Sequence, residues 1–152
     1  MKEVLDFYKF TPFNYSKDIK FYTNQIKSTN QILEYEDLHK LCLRKKFFKN
    51  KINNVLEFGC GTGWLTNSLS YHYKKEVTAV DFTKKAIETA KSVSKTLKVK
   101  PQYVLSDIFD YKDCKKYNLV VSLGVLHHTK DCKSAFEKIS NFIAPGGYLY
   151  VG

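Results

Sequence analysis

VLEFGCGTGW, residues 55–64, sets three glycines in five positions directly behind an apolar run. Glycine tolerates positive φ and lets a ligand approach the main chain with no Cβ in the way. A plain strand-to-helix turn needs fewer than three, so Gly59, Gly61 and Gly63 are expected to form a ligand-binding turn. Two chemistries compete for it. The dinucleotide fingerprint G-x-G-x-x-G delivers a pyrophosphate to a helix N-terminus. Here the spacing is G-x-G-x-G and the sixth position is Trp64, which is expected to spoil the close helix–strand packing assigned to that fingerprint's third glycine. Glu57 would also repel a pyrophosphate. A carboxylate beside the turn suits a ligand that carries cationic groups.

Outward from this stretch, short apolar runs alternate with amphipathic ones, the pattern of βα units on a parallel sheet. Strands are expected at Asn54–Phe58, Glu76–Val80, Gln102–Leu105, Asn118–Leu123 and Tyr148–Val151. Thr83 is placed to cap a helix whose Ala86, Ile87, Ala90, Val93 and Leu97 share one face. A later helix is expected to start near Asp131, with Cys132, Ala135, Phe136, Ile139 and Ile143 as its apolar stripe. Pro145-Gly146-Gly147 is expected to stop that helix and turn the chain into the last strand. The predicted fold is α/β: a Rossmann-like open, mainly parallel sheet with helices on both faces and right-handed crossovers. Residues 1–51 read as an N-terminal helical or lid segment, with Ile32, Leu33, Leu38, Leu41 and Cys42 near helical spacing. Residues 52–152 read as the ligand-binding domain.

Ligands of such sheets bind beyond the carboxyl ends of the strands. Each of those ends carries a polar or glycine-rich segment here: 57–64, 81–82, 106–109 and 122–128. Taken together, the segments resemble class I S-adenosylmethionine-dependent methyltransferases over about residues 53–152. Glu57-Phe58-Gly59-Cys60-Gly61-Thr62-Gly63 is similar to that family's first motif, an acid followed by G-x-G-x-G. Asp81 stands where the family places an acid on the ribose hydroxyls, and Phe82 matches the apolar residue packed on the adenine. Ser106-Asp107-Ile108 follows the third strand, where the family's acid accepts from the adenine amino group. Leu119–Leu123, then Gly124-Val125-Leu126-His127-His128, resembles the fourth strand and its loop. Pro145-Gly146-Gly147-Tyr148 resembles the approach to strand five.

The resemblance implies S-adenosyl-L-methionine as cofactor and a strand order of 3-2-1-4-5. It implies Glu57, Phe58, Gly59, Cys60, Gly61, Trp64, Asp81, Phe82, Asp107, Ile108 and Leu123 as cofactor-binding residues. The family's lid tyrosine is matched by Tyr15 or Tyr22. Trp64 and the aromatic N-terminus (Phe7, Tyr8, Phe10, Phe13, Tyr15, Phe21, Tyr22) could cover cofactor or acceptor, or pack onto the sheet. The implied activity is in-line methyl transfer to a small-molecule O, C or N acceptor. A base is needed only for an acceptor that arrives protonated, and His127 or His128 would serve; packing and capping are their alternative roles. The loop lacks an Asn/Asp-Pro-Pro-aromatic signature, which disfavours methylation of nucleobase amines. A non-catalytic S-adenosylmethionine-binding scaffold or fragment needing a partner, and an RNA-directed methyltransferase, are the other readings.

Composition bounds the remaining classes. The 152 residues suit one domain, and no apolar run approaches the roughly 18 residues that cross a bilayer. A cytoplasmic protein with no membrane partner is expected. Four cysteines (Cys42, Cys60, Cys114, Cys132) are far apart and form no C-x-x-C pair, so no metal site or disulfide framework is expected. The net charge of +10 invites a nucleic-acid partner. The bases are 24 lysines and one arginine, however, spread over both halves of the chain, so a solvated surface is favoured. His39 and His72 read as surface or packing residues. Strand five, ending near Gly152, would present a bare edge, so a homodimer or a missing C-terminal region is expected to cover it.

Overall fold

The computed structural model describes residues 18–28 and 51–152. Five strands form one sheet, β1 (Asn54–Phe58), β2 (Glu76–Asp81), β3 (Gln102–Leu105), β4 (Tyr117–Ser122) and β5 (Ile143–Val151). All pairings are parallel, as expected from the alternation, and the order is β3-β2-β1-β4-β5, as the resemblance implies. Among the described residues four α-helices flank it: α1 (Ile19–Ser28), α2 (Trp64–Tyr73), α3 (Lys84–Leu97) and α4 (Cys132–Ser140).

A strand buried on both faces sends alternate side chains to opposite layers. Val55 of β1 joins Val77, Leu119 and Val121 under Leu65 and Leu69 of α2. Leu56 and Phe58 turn to the other face, with Val80 and Val120, beneath Ala135 and Ile139 of α4. On the first face Ala79 meets Ile87 of α3, and Tyr22 and Ile26 of α1 close over Val93 and Leu97. His72 belongs to this packing: its Nε2 lies 2.7 Å from the Ile26 carbonyl oxygen, tying α2 to α1. His39, Cys42 and the other apolar residues read between 29 and 50 lie outside the described residues.

Four expectations are corrected. Pro145-Gly146-Gly147 does not stop a helix; it lies inside β5, where the pairing jumps from Tyr117↔Ile143 to Leu119↔Tyr148. The extra residues bulge out, with Gly146 at φ 71 and Gly147 so close that a Cβ would stand 2.9 Å from the Ala144 carbonyl oxygen. The helix ends earlier because Phe142 is drawn into the core. Its stripe is narrower than expected: only Ala135 and Ile139 are buried, Cys132 and Phe136 are exposed, and Ile143 belongs to β5. Strand β4 starts one residue earlier, at Tyr117, and ends at Ser122, leaving Leu123 in the loop. Thr83 occupies the N-cap position of α3 but makes no side-chain cap bond. Asp81 instead accepts from the Thr83 N–H at 2.8 Å.

Candidate functional site

The carboxyl ends of β1, β2 and β4 converge, and the glycine turn lies among them. It hangs from β2, whose Val80 carbonyl oxygen accepts from the Gly59 and Cys60 N–H groups at 2.8 and 3.2 Å. Gly59, Gly61 and Gly63 all have positive φ, at 72, 52 and 79°. Two of them answer to the protein's own packing. A Cβ on Gly59 would stand 2.3 Å from Cγ2 of Val125 in the loop after β4. One on Gly63 would meet the Ala90 Cβ at 2.6 Å, the Tyr103 hydroxyl at 2.8 Å and Asn67 Nδ2 at 2.9 Å. Close packing behind the turn therefore survives, carried by Gly63 rather than by a glycine at position 64. Trp64 is half-buried and packs against the cores on either side of α2.

Two acids bracket the turn. Asp81 is buried, and its Oδ2 accepts from the Gly61 N–H at 2.8 Å while Oδ1 holds Thr83. Burial raises its pKa, opposed by the bonds from Thr83 and Gly61. Glu57 points to the same face of the sheet and is 6% exposed. Its Oε2 accepts from the Thr66 hydroxyl of α2. Burial raises its pKa from the ordinary 4.5 to about 7; the Thr66 hydroxyl opposes the rise and the Asp81 charge adds to it. Neither acid has an ion-pair partner among the described residues. The surroundings of the turn are thus polar and acidic and, among the described residues, pair neither acid with a cation, a setting that repels a pyrophosphate and favours a cation.

The remaining candidates divide between rim and core. Phe82 is 37% exposed at the rim beyond β2. Asp107 is exposed, with Oδ1 accepting from the Phe109 N–H at 2.8 Å. Leu123 is half-buried against the α2-side core. His127 and His128 form a 3₁₀ turn, Leu126–His128, with their rings 4.0 Å apart. His127 is exposed; burial and then the neighbouring His127 lower the pKa of His128. Phe58, by contrast, turns its ring into the α4-side core against Tyr111 and Phe142. Ile108 sits in the same core. The Cys60 thiol is buried against Ala79 and Ile87, and burial pushes its pKa up. At these positions only the main chain is left to face a ligand. Tyr15 lies outside the described residues, whereas Tyr22 reaches the turn: its hydroxyl is 3.1 Å from Oγ1 of Thr62.

Reading the sequence missed the second layer beneath the turn. Asn67 accepts from the Ser94 hydroxyl at 2.6 Å and donates to the Ala90 carbonyl oxygen at 3.3 Å; Ser94 also lies 3.0 Å from the Tyr103 hydroxyl. Three elements meet there, and no local spacing announces it. Among the described residues no group of three His, Cys, Asp or Glu could hold a metal ion, and Cys60, Cys114 and Cys132 are free thiols.

Comparisons with known proteins agree with this layout. A family model described as a methyltransferase domain matches residues 56–151. A ubiquinone biosynthesis O-methyltransferase of Rickettsia conorii is 33% identical over 117 residues, covering 74% of this chain and 40% of that protein. The namesake in Coxiella burnetii is 28% identical, covering 71% of this chain and 48% of its own. The chain spans about half the length of the curated relatives it matches. Among solved structures, a magnesium protoporphyrin IX methyltransferase from Synechocystis superposes with a TM-score of 0.67 at 16% identity, over 93% of this chain and 71% of that one. A methyltransferase from Clostridium acetobutylicum gives 0.61 at 21% identity, over 98% and 56%. These last two likenesses are of fold. On the family match, which runs from β1 to β5 across every loop of the site, the chain belongs to the methyltransferase domain family.

Proposed function

We propose that this chain binds S-adenosyl-L-methionine and forms the donor-binding part of an enzyme that methylates a small-molecule O, C or N acceptor. The observation that carries the reading is the pair of buried acids, Glu57 and Asp81, around a glycine turn, with no ion-pair partner among the described residues. Such a site fits a ligand with an ammonium, a sulfonium and ribose hydroxyls. A carboxylate offers about four acceptor positions, and the bonds from Gly61 and Thr83 do not fill them, so Asp81 can still accept from a ribose hydroxyl. Phe82 supplies an exposed ring for the adenine face, and Asp107 an exposed carboxylate for its amino group. Gly59 and Gly61 present main chain, and Leu123 closes the β4 side.

The cofactor supplies a methyl group on a sulfonium, an excellent leaving group. What the protein adds is chiefly alignment of acceptor and methyl, a positioning effect worth several kcal/mol. In this reading one of His127 and His128, in the loop after β4, takes the proton of an acceptor that arrives protonated. The depressed pKa of His128 keeps it neutral and able to accept one. The names of the relatives from Rickettsia and Coxiella, O-methyltransferases of ubiquinone biosynthesis, favour an oxygen acceptor on a small organic molecule. In this proposal residues 52–152 are the binding domain and residues 1–51 a covering segment, as Tyr22 on Thr62 suggests. A cytoplasmic location accords with its free thiols.

Calorimetry with S-adenosylmethionine and with NAD tests the cofactor. Asp81→Asn removes the charge yet keeps an acceptor, and should weaken S-adenosylmethionine about tenfold or more. Preference for NAD, or unchanged affinity in the variant, would sink the reading. A screen of metabolite extracts with labelled donor, run on this chain and on longer forms, identifies the acceptor.

A further inference from the structure

Glu57 and Asp81 project to the same face from adjacent parallel strands, with Glu57 paired to Ala79, two residues before Asp81. Both carboxyls are buried, at 6 and 7% exposure, but their partners are unequal. Asp81 holds two main-chain N–H groups at 2.8 Å, donors that stabilise a carboxylate. Glu57 has only Thr66 in the first turn of α2, whose hydroxyl and N–H both oppose the rise in its pKa. The other titratable groups acting on Glu57 among the described residues are the Cys60 thiol of the turn, the Tyr22 phenol of α1, the Tyr103 phenol of β3 and Asp81 of β2, while β4 sets the apolar Val121 beside it and α2 the Thr66 hydroxyl. All four are neutral or anionic. Two buried carboxyls on one face beside the same turn resist simultaneous ionisation unless a cation joins them.

We propose that Glu57 carries a proton in the empty protein and loses it to solvent when a cationic ligand enters the glycine turn, making Glu57 the residue that selects ligands by charge. The proposal rests on the S-adenosylmethionine reading above. In the step, the Glu57 O–H bond breaks, the proton passes to buffer and the carboxylate left behind pairs with the ligand's cation. The total charge of the pocket is then balanced by the ligand rather than by the proton. An uncharged fragment of the same ligand gains its stacking and ribose contacts but leaves the proton where it is. Asp81, whose carboxylate is the better stabilised of the two by its main-chain donors, supplies the ribose acceptor and the field that keeps Glu57 protonated until a cation arrives.

Calorimetric titration of the protein with S-adenosylmethionine, in two buffers of different ionisation enthalpy, reads the proton directly. With a midpoint near 7, roughly 0.9 proton should be released per ligand at pH 6 and about 0.5 at pH 7. Affinity should be about fivefold weaker at pH 6 than at pH 7. Adenosine, which shares the base and ribose but has no cation, should release none. Glu57→Gln should abolish both the release and the pH dependence. Thr66→Val, which removes the hydroxyl that stabilises the carboxylate, should move the midpoint upward, so that release persists at pH 8. Infrared difference spectra of the ligand-free protein against Glu57→Gln should show one protonated carboxyl at pH 6. S-adenosylmethionine binding with no buffer-dependent heat, or with the same release in Glu57→Gln, overturns the proton step and leaves the cofactor reading intact. Failure to bind at any pH overturns the cofactor reading and this inference with it.

Discussion

Replacing Gly63 by alanine should be among the most damaging single-methyl changes available to this protein, and its cost can be worked from three neighbours. At φ 79 an alanine sits in the left-handed region, which costs about 1 kcal/mol. The new Cβ would also stand 2.6 Å from the Ala90 Cβ, 2.8 Å from the Tyr103 hydroxyl and 2.9 Å from Asn67 Nδ2. Two of these neighbours are held in place by the Ser94 hydrogen bonds, so relief requires α2 and α3 to separate. Overpacking of this kind costs about 1–3 kcal/mol. The sum is roughly 2–4 kcal/mol, or a fall in Tm of about 5–15 °C for a domain of this size. Gly124→Ala is the control: φ is 65, but nothing lies within 4 Å of the added carbon, so only the backbone cost of about 1 kcal/mol applies. Urea unfolding followed by circular dichroism measures both. In a Tyr103→Phe background, where the crowded hydroxyl is gone, about 1 kcal/mol of the Gly63→Ala penalty should be recovered. If Gly63→Ala is no worse than Gly124→Ala, the inference that Gly63 is reserved for packing behind the turn is refuted.

Further outcomes follow from other contacts. Tyr117→Phe deletes a hydroxyl 2.7 Å from the Asp113 carboxylate and 3.3 Å from Thr78, and should cost about 1–2 kcal/mol in the same unfolding assay. The Lys115 N–H bond, then the Tyr117 and Tyr111 hydroxyls, hold the Asp113 pKa below its ordinary value, so this contribution should persist above that value and disappear as pH falls through the depressed one. Glu57 has the opposite sign. Its pKa is raised in the folded state, so the stability it contributes is full below 4.5 and is lost as pH rises to about 7. Ligand-free Glu57→Gln should therefore gain on the wild type between pH 5 and 8, by at most about 3 kcal/mol, and parallel stability curves would refute it. His72→Phe removes the bond to the Ile26 carbonyl oxygen and should raise hydrogen exchange in α1 before it affects the sheet.

The glycine turn made the parallel sheet legible because a strand–turn–helix unit admits few topologies, and the acid positions then fell at strand ends. The same local reasoning failed where distant residues decide the outcome. Pro145 and the two glycines after it spell a turn, yet Tyr148 and Leu149 pair so well with β4 that the irregularity is absorbed as a bulge. Phe136 has helical spacing with Ile139 but lies outside the arc that α4 buries. Phe58, Cys60 and Ile108 stand at motif positions, and their side chains serve the two cores instead. Nor does any spacing reveal that Thr66 would bond Glu57, or that Tyr103, Ser94 and Asn67 would meet beneath Gly63. Those partners come from separate elements brought together only by the finished sheet.

The central position of β1 has a consequence for how the chain is made. On its β4 side, Asn54 bonds Asn118, a residue 64 positions later. At the usual pace of synthesis, about 5–20 residues per second, that partner emerges roughly 3–13 s after β1. During that interval β1, β2 and β3 expose an apolar edge ending at the acidic turn, and β1 is the strand with the longest wait for its second neighbour. β1 therefore leaves the ribosome well before the strand and loop that complete both its pairing and the back of the glycine turn.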